Sequence, residues 1–341
     1  MLISPLVLGI SSSSLSKSEV SVLNEINPYG LILFTRNIVN KVQLKKLINE
    51  VKEKVREDIH ILIDQEGGKV QRLDIPHWTR YPSYREIGEL YVKSAKAANR
   101  LSYTIGRLIS NDLVYVGIDI NCAPCVDIRS ANTSNILVER IFSSDRNIVY
   151  QLANEMIRGF QQGSIVPILK HMPGHGRSSL DSHIELPTID DPIEELICHD
   201  FDPFIKLNNM PIAMTAHIQF SSISDRPVTI SKKAIKMIRS IVGFGGLIIT
   251  DDINMQALAG TLESRVLDAY NAGCNLVLDC SGNNENFIKF LHKIDPIESN
   301  IIDLGVNHFK SVQKDEDFQN IDNVFDESYS ILKNNNINVG S

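Results

Sequence analysis

Eight short apolar runs punctuate the chain, at residues 6–10, 31–34, 61–64, 119–126, 167–171, 213–218, 247–251 and 275–280. Each is continuous rather than alternating, the pattern of a strand covered on both faces. Residues 18–26, 42–55, 95–111, 147–162, 193–207, 231–241 and 263–271 lie between the runs. They place apolar side chains three and four positions apart, and residues 254–258 read as a helical continuation of the seventh run. Strands alternating with helices build a parallel sheet with right-handed crossovers. Eight such units in 341 residues predict the α/β class and a single (β/α)8 TIM barrel. An open doubly wound sheet is the alternative, but its glycine fingerprint is missing. Gly243-Phe244-Gly245-Gly246 precedes a strand instead of following one, and Gly67-Gly68-Lys69 lacks the flanking residues of a phosphate-binding loop.

No Pro/Gly/Ser-rich linker divides the chain, so residues 1–330 are expected to form one catalytic domain. Residues 331–341, with Asn334-Asn335-Asn336, are polar and are expected to fray. The net charge of −7, from 34 basic and 41 acidic residues, argues against a nucleic-acid partner. No apolar run approaches the roughly 18 residues of a membrane helix, so no membrane partner is expected. The apolar N-terminus has its first lysine only at Lys17 and reads as a core strand rather than a secretion signal, which predicts a cytoplasmic protein. Cys122, Cys125, Cys198, Cys274 and Cys280 are scattered and odd in number, unlike a disulfide framework.

In a (β/α)8 barrel, catalytic side chains sit at the C-terminal ends of strands or just beyond. Asp64 ends the third run, Asp127 the fourth, Lys170 and His171 the fifth, His217 the sixth, and Asp251 and Asp252 the seventh. A polar residue commonly closes an apolar run without function, but that rule predicts mixed Ser, Asn, Lys and Glu. Asp, Lys-His, His and Asp on four ends instead suggest convergence on one pocket. Lys170-His171-Met172-Pro173-Gly174-His175-Gly176 and Asp181-Ser182-His183 bring three histidines and an aspartate into fourteen positions. Asp181 can accept a hydrogen bond from His183 and so fix its tautomer, which makes a general acid/base unit. Spacing alone favours a surface Asx turn. A metal site on His171, His175 and His183 is a further alternative, opposed by the lack of one-face helical spacing around Pro173. Asp251 is the candidate carboxylate nucleophile, and Asp252 beside it points elsewhere.

Gly30-Leu-Ile-Leu-Phe-Thr-Arg-Asn37, Ile63-Asp-Gln-Glu-Gly-Gly-Lys-Val-Gln-Arg72, the Lys170–Gly176 segment, Asp181-Ser-His183, Met214-Thr-Ala-His217 and Thr250-Asp-Asp-Ile-Asn-Met255 follow one another in order. Together they resemble the bacterial β-N-acetylglucosaminidases of glycoside hydrolase family 3, the cell-wall-recycling type. The resemblance implies a single barrel and a retaining mechanism with Asp251 as nucleophile. It assigns the acid/base to His183, assisted by Asp181 on a mobile loop. It places sugar binding on Asp64, Arg72, Arg140, Lys170 and His171, with His217 lining the same pocket. No metal and no cofactor is expected, and the protein is expected to be a monomer. The implied substrate carries a non-reducing terminal β-linked N-acetylglucosamine. Its natural form would be N-acetylglucosamine–1,6-anhydro-N-acetylmuramic acid, with or without peptide, in peptidoglycan recycling. Met172, Val138 and Ile253-Asn254 depart from residues common in the family, all outside the proposed catalytic and sugar-binding positions.

Overall fold

The computed structural model describes residues 1–299, 303–311 and 320–337. Eight parallel strands close on themselves: β1 (Leu2–Gly9), β2 (Pro28–Leu33), β3 (His60–Ile63), β4 (Ile120–Asn121), β5 (Val166–Met172), β6 (Ile212–Thr215), β7 (Leu247–Asp252) and β8 (Leu276–Asp279). Each pairs in parallel with the next, and β8 returns to β1 through Leu6 opposite Val277 and Val7 opposite Leu278. Closure leaves the barrel strands without a free edge. It also covers both faces of the strands, which is why the runs are continuously apolar: every residue of β2, β5 and β8 is buried. Leu6, Leu8, Leu31, Ile168, Leu169, Ile212, Ile248 and Leu276 are fully buried.

The helices between the strands begin where short polar side chains cap them. Ser16 accepts from the Glu19 N–H at the start of α1 (Lys17–Ile26), and Asn40 accepts from the Gln43 N–H at the start of α2 (Lys41–Lys54). Ser83 and Glu86 form a capping box for α3 (Tyr84–Lys93), a helix not expected from spacing. Ser94 caps α4 (Ala95–Val116), Asp145 caps α5 (Arg146–Gln162) and Thr261 caps α6 (Leu262–Ala272).

Four local expectations need correction. The fourth run contributes only two ladder residues. There the Asn121 side chain pairs with the Gln65 backbone at 2.8 and 2.9 Å, and Pro124 has no N–H to offer a neighbour. The helix expected at 193–207 is two short helices, Ile193–Cys198 and Asp202–Lys206, because Pro203 starts a new helix rather than continuing an old one. Residues 254–258 form turns, since the Asn254 backbone and amide both donate to the Asp252 carboxylate. The chain does not fray at 331: residues 331–334 are the last turn of α7 (Ile321–Asn334). Val324, Ser328 and Leu332 form its buried stripe, and Glu327 makes two 2.6 Å bonds to Arg100 of α4. Residues 338–341 of the expected tail lie outside the described residues.

At the end of the barrel opposite the site, His60 opens β3 between two carboxylates, Asp119 at 3.3 Å and Asp303 at 3.0 Å. Burial disfavours the imidazolium, but the hydrogen bonds and charges of the two aspartates outweigh it and raise the pKa to about 9. A group raised in the folded state stabilises fully below its unfolded pKa and loses that contribution as pH climbs through the folded value. Folding stability should therefore fall between roughly pH 6.5 and pH 9, by on the order of 3 kcal/mol. Urea unfolding across that range should show this slope in the natural protein and lose most of it in His60→Asn. A pH-independent difference between the two would contradict the assignment.

Candidate active site

The C-terminal ends of β3, β4, β5 and β7 meet in a continuous network of charged and imidazole side chains. It begins at Asp64, which accepts from Lys170 Nζ at 2.8 Å and from Arg72 Nη2 at 3.3 Å. Lys170, 2 % exposed, also reaches Glu66 at 2.7 Å. Glu66 follows Asp64 in a two-stranded hairpin (Gln65–Gly67 against Val70–Gln71) and binds Arg140 through both carboxylate oxygens, at 2.8 and 3.0 Å. Burial alone would neutralise these groups. Lys170 and Arg72 nevertheless hold Asp64 well below the usual carboxylate range, and Arg140 and Lys170 do the same for Glu66. Burial also opposes charge on Lys170, but Asp64 and Glu66 raise its pKa. Asp64, Glu66, Lys170 and Arg140 thus each favour the charged form despite their burial.

Arg140 Nη2 lies 3.4 Å from His171 Nε2, and His171 Nδ1 lies 2.8 Å from Asp127. His171 Nδ1–H donates to Asp127, which orients the ring toward Arg140. Asp127 is fully buried and accepts also from the His175 N–H at 2.7 Å and the Cys125 thiol at 3.2 Å. Burial works against its charge, yet His171 and His175 hold its pKa at about 2. One carboxylate thereby orients an imidazole and fixes the start of the loop after β5.

That loop needs its glycines. Gly174 has φ +150°, and a Cβ on Gly176 would lie 1.8 Å from the Ile128 carbonyl oxygen. Beyond them, His183 Nδ1 meets Asp181 Oδ1 at 2.8 Å, and the same oxygen accepts the His183 N–H at 2.9 Å. The second contact is the Asx turn that spacing favours, and the first is the acid/base pairing. The local structure therefore contains both. The His183 side chain is 62 % exposed and Asp181 21 % exposed. Burial acts on Asp181, but its bonds to His183 lower its pKa.

Asp251 and Asp252 diverge. Asp252 accepts from Asn254 and from the Cys280 N–H, so it serves the loop backbone, and burial raises its pKa. Asp251 faces a small cavity together with Arg140, His171, His175, Asp181 and His183. Burial disfavours its charge, but the fields of His171 and His217 keep it below the ordinary carboxylate value. An ionised carboxylate thus faces a histidine–aspartate pair across one cavity, the arrangement of a nucleophile and an acid/base.

His217 was expected to line that cavity. It is instead fully buried, with Nε2 3.0 Å from the Asp252 carbonyl and Nδ1 2.7 Å from Thr229 Oγ1. Both nitrogens serve the protein, and burial lowers the pKa of the ring. It holds the end of β7 from behind. Asp64, Arg72 and Lys170 form the ionic cluster next to the cavity wall rather than the wall itself. Two residues were given no role by sequence reasoning: Glu66, which the Asp64-Gln65-Glu66 segment contains, and Asp127, which the strand-end rule had flagged. The metal alternative fares differently from its expected form. Among the described residues, Cys125, Asp127 and His171 bring potential ligand atoms within 4.8 Å, but His183 is not among them and its Nδ1 is held by Asp181.

Removing Glu66 leaves Arg140 without its bidentate partner inside the protein. Glu66→Ala should cost about 3–5 kcal/mol in urea unfolding. It should also raise KM more than it lowers kcat, because Arg140 and Lys170 lose their set positions. An effect below about 1 kcal/mol would show that the cluster is wet and weak.

Comparison with known proteins bears on this geometry. A family model described as the glycosyl hydrolase family 3 N terminal domain matches residues 6–310. A protein named beta-hexosaminidase from Alkalilimnicola ehrlichii is 34% identical over 286 residues, covering 82% of this chain and 82% of its own. The crystal structure of native NagZ from Neisseria gonorrhoeae superimposes with a TM-score of 0.86 at 26% identity, covering 97% of this chain and 98% of that one. The same N. gonorrhoeae protein has also been solved in complex with N-trifluoroacetyl-D-glucosamine, with a TM-score of 0.86 and 26% identity over 98% of both chains.

Proposed function

Given that the chain belongs to glycoside hydrolase family 3, we propose that it removes terminal β-linked N-acetylglucosamine by a retaining mechanism, with Asp251 as nucleophile and His183–Asp181 as acid/base dyad. It is a glycoside hydrolase of the β-hexosaminidase type. The observation that carries the mechanism is the cavity shared by ionised Asp251 and the 2.8 Å His183–Asp181 pair.

The steps follow from the donors and acceptors present. Asp181 holds Nδ1–H of His183, so the proton to be transferred sits on Nε2. As an Asp251 oxygen bonds to the anomeric carbon, the bond to the leaving oxygen breaks and that oxygen takes the Nε2 proton. The product is a glycosyl ester on Asp251 with a neutral imidazole beside it. Water then gives a proton back to Nε2 as its oxygen attacks the anomeric carbon, and Asp251 leaves as a carboxylate. Retaining enzymes of the usual kind hold two carboxylates at the reaction centre. Here the acid becomes neutral rather than anionic after the first step, so no new negative charge builds up beside the ester. Arg140, His171, Lys170, Asp64 and Arg72 would orient sugar hydroxyl and acetamido groups, the cations donating and the carboxylate accepting. His217 would act through the backbone of Asp252.

The natural substrate we propose is the N-acetylglucosamine–1,6-anhydro-N-acetylmuramic acid unit, with or without peptide, released during wall recycling. The enzyme would act as a monomeric, single-domain protein in the cytoplasm. No helix among the described residues is long and apolar enough to cross a membrane.

Purified, chelator-treated protein should release the aryl group from an aryl β-N-acetylglucosaminide and not from the matching β-glucoside. Activity on the glucoside alone would overturn the acetamido reading. Asp251→Ala should lower kcat by a factor on the order of 10⁴ or more, measured on the same aryl substrate. For His183→Ala, kcat/KM should fall about 10²–10⁴-fold on an alkyl or disaccharide substrate but within about tenfold on a dinitrophenyl glycoside, whose leaving group needs no proton. Equal losses on both would remove His183 from the acid role.

A further inference from the structure

We propose that His175 is a positioning residue that latches the acid/base loop: it holds Ser182, and through Ser182 it sets Asp181 and His183 over Asp251. The inference rests on the reading of His183 as the acid/base and extends it to what places that residue.

The cavity between Asp251 and the dyad has a volume of only about 20 Å³. That accommodates one water at most, whereas ligand sites run to some 300 Å³ and above. Arg140, His171 and Asp251 form its barrel side, and Leu180, Asp181, Ser182 and His183 form its outer wall. A sugar ring needs more room than this, so the position of that outer wall governs access to Asp251.

The first half of the loop is pinned to the barrel. Asp127 holds the His175 N–H at 2.7 Å, Thr133 Oγ1 donates to the Gly176 carbonyl at 2.5 Å, and the Ser134 N–H donates to the Ser178 carbonyl at 2.8 Å. Arg177 spans Asp191, Glu195 and Asp200 at 2.5–2.8 Å. The second half is attached differently. His175 Nε2 lies 3.2 Å from Ser182 Oγ. The Ala257 N–H donates to the Ser182 carbonyl and the Gln256 N–H to the His183 carbonyl, each at 3.3 Å. The two backbone bonds come from the loop that follows the nucleophile. The Ser178 hydroxyl in the pinned half also holds both backbone groups of Leu180, at 2.8 and 3.2 Å, but the bond from His175 is the one that reaches from the pinned half to Ser182, between Asp181 and His183.

His175 suits the task. It is 4 % exposed, and among the described residues its Nδ1 has no hydrogen-bond partner and its Nε2 bonds Ser182 alone. Burial, reinforced by His171, pushes its pKa down to about 4, so the ring stays neutral at neutral pH.

The test compares Ser182→Ala, which removes the hydroxyl, and His175→Gln, which keeps a polar nitrogen near Nε2, with the natural protein. Steady-state kinetics use a methyl or disaccharide β-N-acetylglucosaminide and a dinitrophenyl one. Ser182→Ala should lower kcat/KM about tenfold on the first and no more than about twofold on the second. It should have no added effect in a His183→Ala background. Hydrogen exchange of the amides at 179–185 should rise in Ser182→Ala, and His175→Gln should retain most of both activity and protection. Equal losses on the two substrates, or unchanged kinetics with unchanged exchange, would overturn the latch. If the natural protein cleaves neither substrate, the proposed function fails instead, and the exchange measurement still decides the latch.

Discussion

A buried ammonium governs this end of the barrel. Lys170 has almost no contact with water and stays charged because Asp64 and Glu66 lie within 2.8 Å of it. Such a group is tolerable only with its partners in place. It therefore couples β5 to the end of β3 and to the hairpin that follows β3. Arg140 extends the coupling through Glu66 to a third segment, and His171 and Asp127 extend it to the start of the loop after β5. Side chains from four distant stretches are thus held by interactions none of them could make alone. The ion pairs are better understood as specifying geometry than as adding net stability, since burial costs much of what the charges return.

The electrostatics separate groups that look alike in sequence. Asp251 and Asp252 are neighbours, yet imidazole fields lower one pKa and burial raises the other. The four site histidines divide in the same way. His171 is oriented by a buried carboxylate, burial lowers the pKa of His175 and His217, and His183 stands in solvent beside Asp181. Only the last is mostly exposed to solvent, and it lies on a loop rather than on a strand.

Some of this was legible from the chain. All eight strands appear where continuous apolar runs occur, because burial on both faces leaves no room for polar alternation. The strand-end rule located Asp64, Lys170, His171 and Asp251, and it flagged Asp127 without giving it a task. The Asp181–His183 pairing was legible because it is local. What escaped was non-local. Glu66 sits in the Asp64–Gly67 segment, but nothing in its neighbours says that it bridges Lys170 and Arg140, which are 104 and 74 positions away. The end of its strand and the family resemblance both point His217 toward the pocket, but its two nitrogens are committed to Thr229 and Asp252. The C-terminal stretch reads as polar in isolation, yet α7 buries Val324, Ser328 and Leu332 on one side and meets Arg100 through Glu327.

The sequence by itself determined the barrel, the end at which its chemistry lies and the residue types available there. These depend on periodicity and on the parallel direction of the strands, both of which are properties of short segments. Only the tertiary structure decided which charges neutralise one another, which histidines remain free and how nearly the loop closes the cavity. Those depend on distances between segments a hundred residues apart and on how much water is excluded between them. Coulombic and desolvation energies change steeply with both, and neither is written in any local stretch of the chain.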